Sequence, residues 1–173
     1  MSTTYELRKK LIEIARLDVG KLETSRNQAP FIKKFWPATS YPEGYVNREP
    51  YCAAAMCYWV QQWLTIPEVL TALNMSASAA EKWRCKSAAA FGWLDWAVKK
   101  GLVLLSDSQS ETLHTGDVVV FDFSHIGVVV TDFDTHVHTI EANTGAAGGR
   151  EGDGVFEKIR ARSLAKKFIR ILP

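Results

Sequence analysis

Apolar residues recur at helical spacing in the first part of the chain and fall into short alternating or continuous blocks in the last part. Over residues 5–17, Leu7, Leu11, Ile14 and Ala15 or Leu17 share a face with Lys and Arg between them, predicting an amphipathic surface helix that stops at Gly20. Residues 21–50 are polar and hold Pro30, Pro37, Pro42 and Pro50, so they read as turns with one short helix over 29–35. Residues 52–64 are apolar on nearly every side (Met56, Tyr58, Trp59, Val60, Trp63), the pattern of a buried central helix. Pro67 suits the first position of a further helix to about residue 73. Ser87 is an expected N-cap for a helix through Trp93 and Trp96 that stops at Gly101.

After Gly101 the period changes. Residues 103–105, 117–121, 126–131, 136–141, 155–160 and 168–172 are short β-branched or apolar runs separated by turn residues. Helices followed by a meander predict an α+β fold: N-terminal helices packed on a C-terminal antiparallel sheet of five to six strands, as one unit over 1–173. The chain's 173 residues are enough for one sizeable core.

Composition narrows the function classes. Hydrophobic residues make up 47%, with six Trp, which excludes a disordered chain. A net charge of +2 without a basic block gives no basis for nucleic-acid binding. No run reaches the roughly 20 apolar residues of a membrane span, and the polar start resembles no signal peptide. Synthesis in the cytoplasm as a soluble monomer is expected. The three cysteines are an odd count without CxxC spacing, so neither a disulfide framework nor a zinc knuckle is expected.

One cysteine stands apart. Glu49-Pro50-Tyr51-Cys52-Ala53-Ala54 reads as a loop breaking into a helix with the thiol in its first turn. Unpaired N–H groups and the positive end of the helix dipole there favour thiolate, the nucleophilic form. Cys57, inside the same helix, and Cys85, for which no partner is apparent, read as buried small hydrophobes. His125 stands at the mouth of an apolar strand, and Glu141 and Asn143 lie one strand further on. Cysteine, histidine, then carboxylate or amide is the order of a papain-like triad. Residues two apart on a strand point the same way, so Glu141 and Asn143 are both expected to face the histidine, with Glu141 the preferred third member.

The segments Val19-Gly20-Lys21-Leu22-Glu23-Thr24-Ser25-Arg26-Asn27, Pro50-Tyr51-Cys52-Ala53, Thr115-Gly116-Asp117-Val118, His125-Ile126-Gly127-Val128 and Ile140-Glu141-Ala142-Asn143 fall in one order. Together, over roughly residues 15–172, they resemble the CHAP branch of the NlpC/P60-like cysteine peptidases, amidase and endopeptidase domains of bacterial and phage cell-wall hydrolases. The resemblance implies a papain-like fold, Cys52 as nucleophile, His125 as general base, Glu141 with Asn143 as orienting groups, and no cofactor. It also implies a peptidoglycan substrate, cut at the bond from N-acetylmuramic acid to L-alanine or at a stem or cross-bridge peptide bond. Tyr51 stands where this branch often has tryptophan. Glu23 and Asn27 match the branch's N-terminal motif, and with Tyr51, Trp36 and Trp83 they are the expected substrate-binding residues. The groove is expected between residues 36–50, 83–87 and 143–154. A leaderless wall hydrolase fits a phage lysin, or an injected effector met by an immunity protein in its target compartment.

Competing readings start from other residues. His136 and His138 share a strand face near Asp132 and Asp134, a sketch of a metal-dependent hydrolase, although such alternation more often marks a solvated sheet face. A non-catalytic wall-binding module would leave Cys52 inert to thiol reagents. The Lys and Arg residues between 158 and 170 alternate with apolar ones and read as a solvated face.

Overall fold

A computed structural model of the chain describes residues 2–145 and 152–173. Helix α1 (Thr4–Arg16) opens with a capping box in which Thr3 and Glu6 each accept from the other's backbone N–H. It buries Leu7, Leu11, Ile12 and Ala15, largely the face expected from the spacing. That face lies on α3 (Cys52–Trp63), where the Trp63 indole N–H donates to the Leu7 carbonyl at 2.7 Å. The Trp59 indole N–H donates to buried Asp18 at 3.0 Å, and Lys21 and Lys34 pair with the same carboxylate. Each indole therefore enters the core without losing a hydrogen bond, keeping the roughly 1.5–3 kcal/mol that burying a large apolar side chain contributes.

Short α2 (Pro30–Lys33) and a 3₁₀ turn at Trp36–Ala38 precede α3, and α4 (Pro67–Ala72) follows it. Helix α5 (Ala77–Trp83), capped by the Ser76 hydroxyl, was not foreseen from the sequence. Its seven residues are mostly small and exposed and carry no apolar period. Helix α6 (Ala90–Lys99) starts later than the Ser87 cap implied. Ala89 is the N-cap, while the Ser87 hydroxyl accepts from Ala89 N–H and donates to Ala89 O, closing a turn one step ahead of the helix.

The strands are β1 (Val103–Leu105), β2 (Val118–Phe121), β3 (His125–Phe133), β4 (His136–Thr144), β5 (Gly154–Ala161) and β6 (Ala165–Arg170). They form one antiparallel sheet in the order β1-β6-β2-β3-β4-β5. The helices cover one face through Val118, Val120, Ile126, Val128 and Ile140. Leu113, Val119, Phe121, Val129, Val137 and Phe168 form a second cluster on the other. Central strand β2 is therefore buried on both faces, which accounts for its unbroken Val-Val-Val-Phe run.

The C-terminal cations depart from the expected solvated face. Arg160 and Arg162 are buried, and Arg170 pairs with Asp117 at 2.8 Å. Arg162 reaches Asp132 and the carbonyls of Ser108 and Glu111, tying the 106–113 loop to the sheet. Alternation gave the strand correctly but not its exposure, because anionic partners come from distant segments. Among the described residues, no helix is long and apolar enough to cross a membrane.

Candidate active site

Cys52 is the first residue of α3, as the breaking loop implied. The first backbone bond into the helix runs from Ala55 N–H to the Tyr51 carbonyl at 2.9 Å, so the N–H groups of Cys52, Ala53 and Ala54 precede the intrahelical ladder. Tyr51 supplies no side-chain cap. The thiol, 7% exposed, opens onto a cleft of about 580 Å³ whose walls include Trp36, Tyr41, Glu49, Lys86, Ala89 and Ser124. Two of the expected groove segments, 36–50 and 83–87, thus contribute walls. Half of the third, residues 146–151, lies outside the described residues.

His125 is fully buried at the start of β3 and stacks with Phe123 and Phe121, ring centroids 5.8 and 6.0 Å away. Ser124, at φ 58°, makes the left-handed kink that sets the strand's entry. The ring's Nε2 is 2.9 Å from Glu141 Oε2, and its Nδ1 has no hydrogen bond of good geometry among the described residues. Burial pushes the imidazole pKa down, yet contact with the Cys52 thiol and with Glu141 outweighs it and holds the value up at about 9.

Glu141 lies opposite Gly127 in the β3–β4 register and is fully buried. A Cβ at Gly127 would come within 2.8 Å of the Glu141 side chain, so this glycine makes room for the carboxylate. Arg160 on β5 grips it: Nε to Oε1 at 2.9 Å and Nη2 to Oε2 at 2.6 Å. The Thr139 hydroxyl donates to Oε1 at 2.6 Å. Burial opposes ionisation, but the bonds from His125 and Arg160 prevail and hold the carboxyl at about 2. Arg160 also lies over Phe121 and Phe123, the rings that flank His125. Sequence reading missed Arg160; it pairs with Val137 across the sheet and reaches Glu141 along the same face, so no local pattern marked it.

Asn143 is buried, but not as simple alternation implied. The β4–β5 register shifts between Ala142 and Thr144, and Asn143 adopts φ 57° in that bulge, so Glu141 and Asn143 no longer present equivalent positions. Both atoms of its amide are buried without a partner. Of the two candidates, Glu141 is the one bonded to the histidine.

The expected binding residues divide. Trp36 contributes to the cleft wall although it is nearly buried against Gly44 and Tyr41. Tyr51 is completely buried between Phe31 and Phe35, so it supports Cys52 from below and does not face a ligand. Its hydroxyl and Glu23 Oε1 are buried without a well-aligned hydrogen bond, close enough that burial and then Glu23 raise the phenol's pKa. Asn27 is buried in turn chemistry: its N–H donates to Glu23 at 2.7 Å and its amide to the Arg48 carbonyl at 2.7 Å. Trp83 is in α5 against Trp96, away from the cleft lining.

His138 bonds Glu157 at 2.7 Å, and His136 bonds the Thr135 hydroxyl. Among the described residues no group of three His, Cys, Asp or Glu side chains is placed to hold a metal ion. Cys57 and Cys85 are both buried, and the Cys57 thiol donates to the Ser87 carbonyl at 3.3 Å. No family model, curated protein or solved structure matches the chain.

Proposed function

We propose that the protein is a cysteine-dependent amide hydrolase of papain-like fold acting on peptidoglycan. The observation that carries the chemistry is the chain of contacts from Cys52, at the head of α3 and open to a cleft, through His125 to Glu141. The choice of peptidoglycan comes from the sequence resemblance to CHAP-type domains.

In this reading the Cys52 thiolate attacks the amide carbonyl carbon, and the C=O electron pair moves onto oxygen near the helix-start N–H groups, the Cys52 N–H among them. The imidazolium of His125 then gives its proton to the leaving nitrogen as the C–N bond breaks, leaving a thioester on Cys52. Neutral His125 next takes a proton from water. The resulting attack on the thioester releases the carboxylic acid and regenerates the thiolate–imidazolium pair. Glu141 holds the ring at Nε2, which leaves the other ring nitrogen to serve Cys52. Asn143 keeps a buried amide that no group among the described residues uses.

Purified sacculi are to be digested with wild-type protein and with Cys52→Ala, and the released fragments identified by mass spectrometry. Fragments from wild type alone are expected, and their masses name the bond. Fragments from both proteins would remove Cys52 from the mechanism, and none from either would overturn peptidoglycan as substrate.

A further inference from the structure

The cleft onto which Cys52 opens has two unlike walls. One is the 86–90 segment, made of small side chains apart from Lys86; the other is drawn from residues 36–50 and holds Trp36, Tyr41 and Glu49. Glu49 and Lys86 are the charged residues of this lining, and they are not equivalent. The Lys86 ammonium lies 2.8 Å from Glu81, a carboxylate that Arg84 also holds at 2.6 Å. The Glu49 carboxylate is exposed and makes no hydrogen bond or ion pair among the described residues. It is a free anion in the wall beside the thiol.

Its backbone, by contrast, is fixed on both sides. Glu49 N–H donates to the Gly44 carbonyl at 3.0 Å, and the Arg48 carbonyl before it accepts from the Asn27 amide at 2.7 Å. Pro50 keeps Glu49 out of helical backbone, and the Tyr51 ring beyond packs against Phe31 and Phe35. Three residues separate Glu49 from Cys52, a Cα distance of at most roughly 10–11 Å. The same wall carries the half-exposed Tyr41 ring, T-shaped to Trp36 at 6.2 Å, with its hydroxyl accepting from the Asn47 amide at 2.5 Å. A carboxylate and an aromatic ring on one wall share a preferred ligand, an ammonium ion, which the first attracts by charge and the second by its ring quadrupole.

We propose that Glu49 is a specificity-determining residue that binds a primary ammonium group of the amide substrate, carried roughly one or two residues from the scissile bond. This inference rests on Cys52 being the nucleophile of the cleft, as in the proposed function. Selection is by charge: a neutral group at this place leaves the carboxylate to water, and an anionic one is repelled. Lys86 does not cancel the effect, because its ammonium is already engaged by Glu81 on the far wall.

The test has a chemical arm and a substrate arm. In the first, Cys52 of the full chain is labelled at low salt with aminoethyl (cationic), sulfonatoethyl (anionic) and methyl (neutral) methanethiosulfonate. Rates are normalised to those of free cysteine, and the Cys52 peptide is followed by mass spectrometry. Wild type is expected to favour the cation over the anion. That ratio should fall at least about fivefold in Glu49→Gln, invert in Glu49→Lys and shrink in high salt. Urea midpoints of both variants should match wild type, since the side chain replaced is exposed and unpaired. A ratio unchanged by Glu49→Gln would overturn the inference, whatever the chain does to peptidoglycan.

In the second arm, wild type and Glu49→Gln digest intact sacculi and stem peptides freed from the glycan, each before and after acetylation of free amines with acetic anhydride. Wild type is expected to cut unacetylated material at least about fivefold faster, and Glu49→Gln to lose that preference. Intact sacculi present side-chain amines and freed stems add a terminal α-amine, so the material in which acetylation matters identifies the source. Equal cutting of native and acetylated material by wild type would overturn the inference and leave the hydrolase standing. No cutting of any material, with charge-selective labelling intact, would overturn peptidoglycan as substrate while supporting Glu49 as the ammonium selector.

Discussion

Replacing Glu141 with Gln is the sharpest probe of the buried polar cluster, because it keeps the side chain's size and removes one charge. In the native protein the carboxylate accepts from His125, Arg160 and Thr139, all within 2.9 Å. The neutral amide leaves two buried cationic groups facing each other without an anion. Burial alone lowers the imidazole's pKa, and only the contacts with Cys52 and Glu141 lift it to about 9. With both partners removed, in Cys52→Ala/Glu141→Gln, it is expected below the ordinary value of about 6.5. That fall of roughly 2.5 pH units corresponds to about 3.4 kcal/mol of lost preference for the charged ring. Arg160, 8% exposed, loses its counter-charge at the same time. Breaking a buried pair from one side costs about 3–5 kcal/mol, and the urea midpoint of Glu141→Gln at pH 7 should fall accordingly. The assay is a ¹H–¹⁵N or ring-proton NMR titration of His125 in wild type, Cys52→Ala and the double variant, with urea unfolding of wild type and Glu141→Gln. An unchanged titration, or a loss under about 1 kcal/mol, would refute the claim that the carboxylate charge organises the site.

Two further outcomes follow from the same cluster. Gly127→Ala is expected to cost about 1–3 kcal/mol by overpacking, since its Cβ would stand 2.8 Å from both the Glu141 side chain and the Ile140 carbonyl; thermal unfolding checks this, and the His125 titration should move with it. The stability–pH curve should fall at both ends. The raised His125 pKa contributes stability fully present below about pH 6.5 and lost as pH rises through about 9. The depressed Glu141 pKa contributes stability present above about pH 4.5 and lost as pH falls through about 2. Urea midpoints from pH 2 to 10 test both limbs, and a curve flat above pH 8 would contradict the first.

Local pattern determined a good deal of this protein. The apolar spacing of α1, the all-round apolar surface of α3, and the order of helices then short β runs are consequences of burial geometry that acts residue by residue. The position of Cys52 was legible for the same reason: proline and an aromatic residue before an alanine-rich run can hardly do other than start a helix there. Tertiary structure decided what lies across from what. The bulge that turned Asn143 away from simple alternation with Glu141 depends on pairing with β5. Arg160 became the partner of Glu141, 19 residues away, because the β4–β5 register, which pairs it with Val137, puts both side chains on one face of the sheet. Tyr51, read as a binding residue, sank into the support beneath Cys52, and Asn27 into turn hydrogen bonds, since exposure is set by neighbours that no window of sequence contains. Cys57 met the Ser87 carbonyl because α3 and the segment after α5 pack together. Periodicity reports which face of an element is apolar; which side chains meet across the core is fixed by long-range packing, and in this protein that packing brought histidine, carboxylate and guanidinium together behind the thiol.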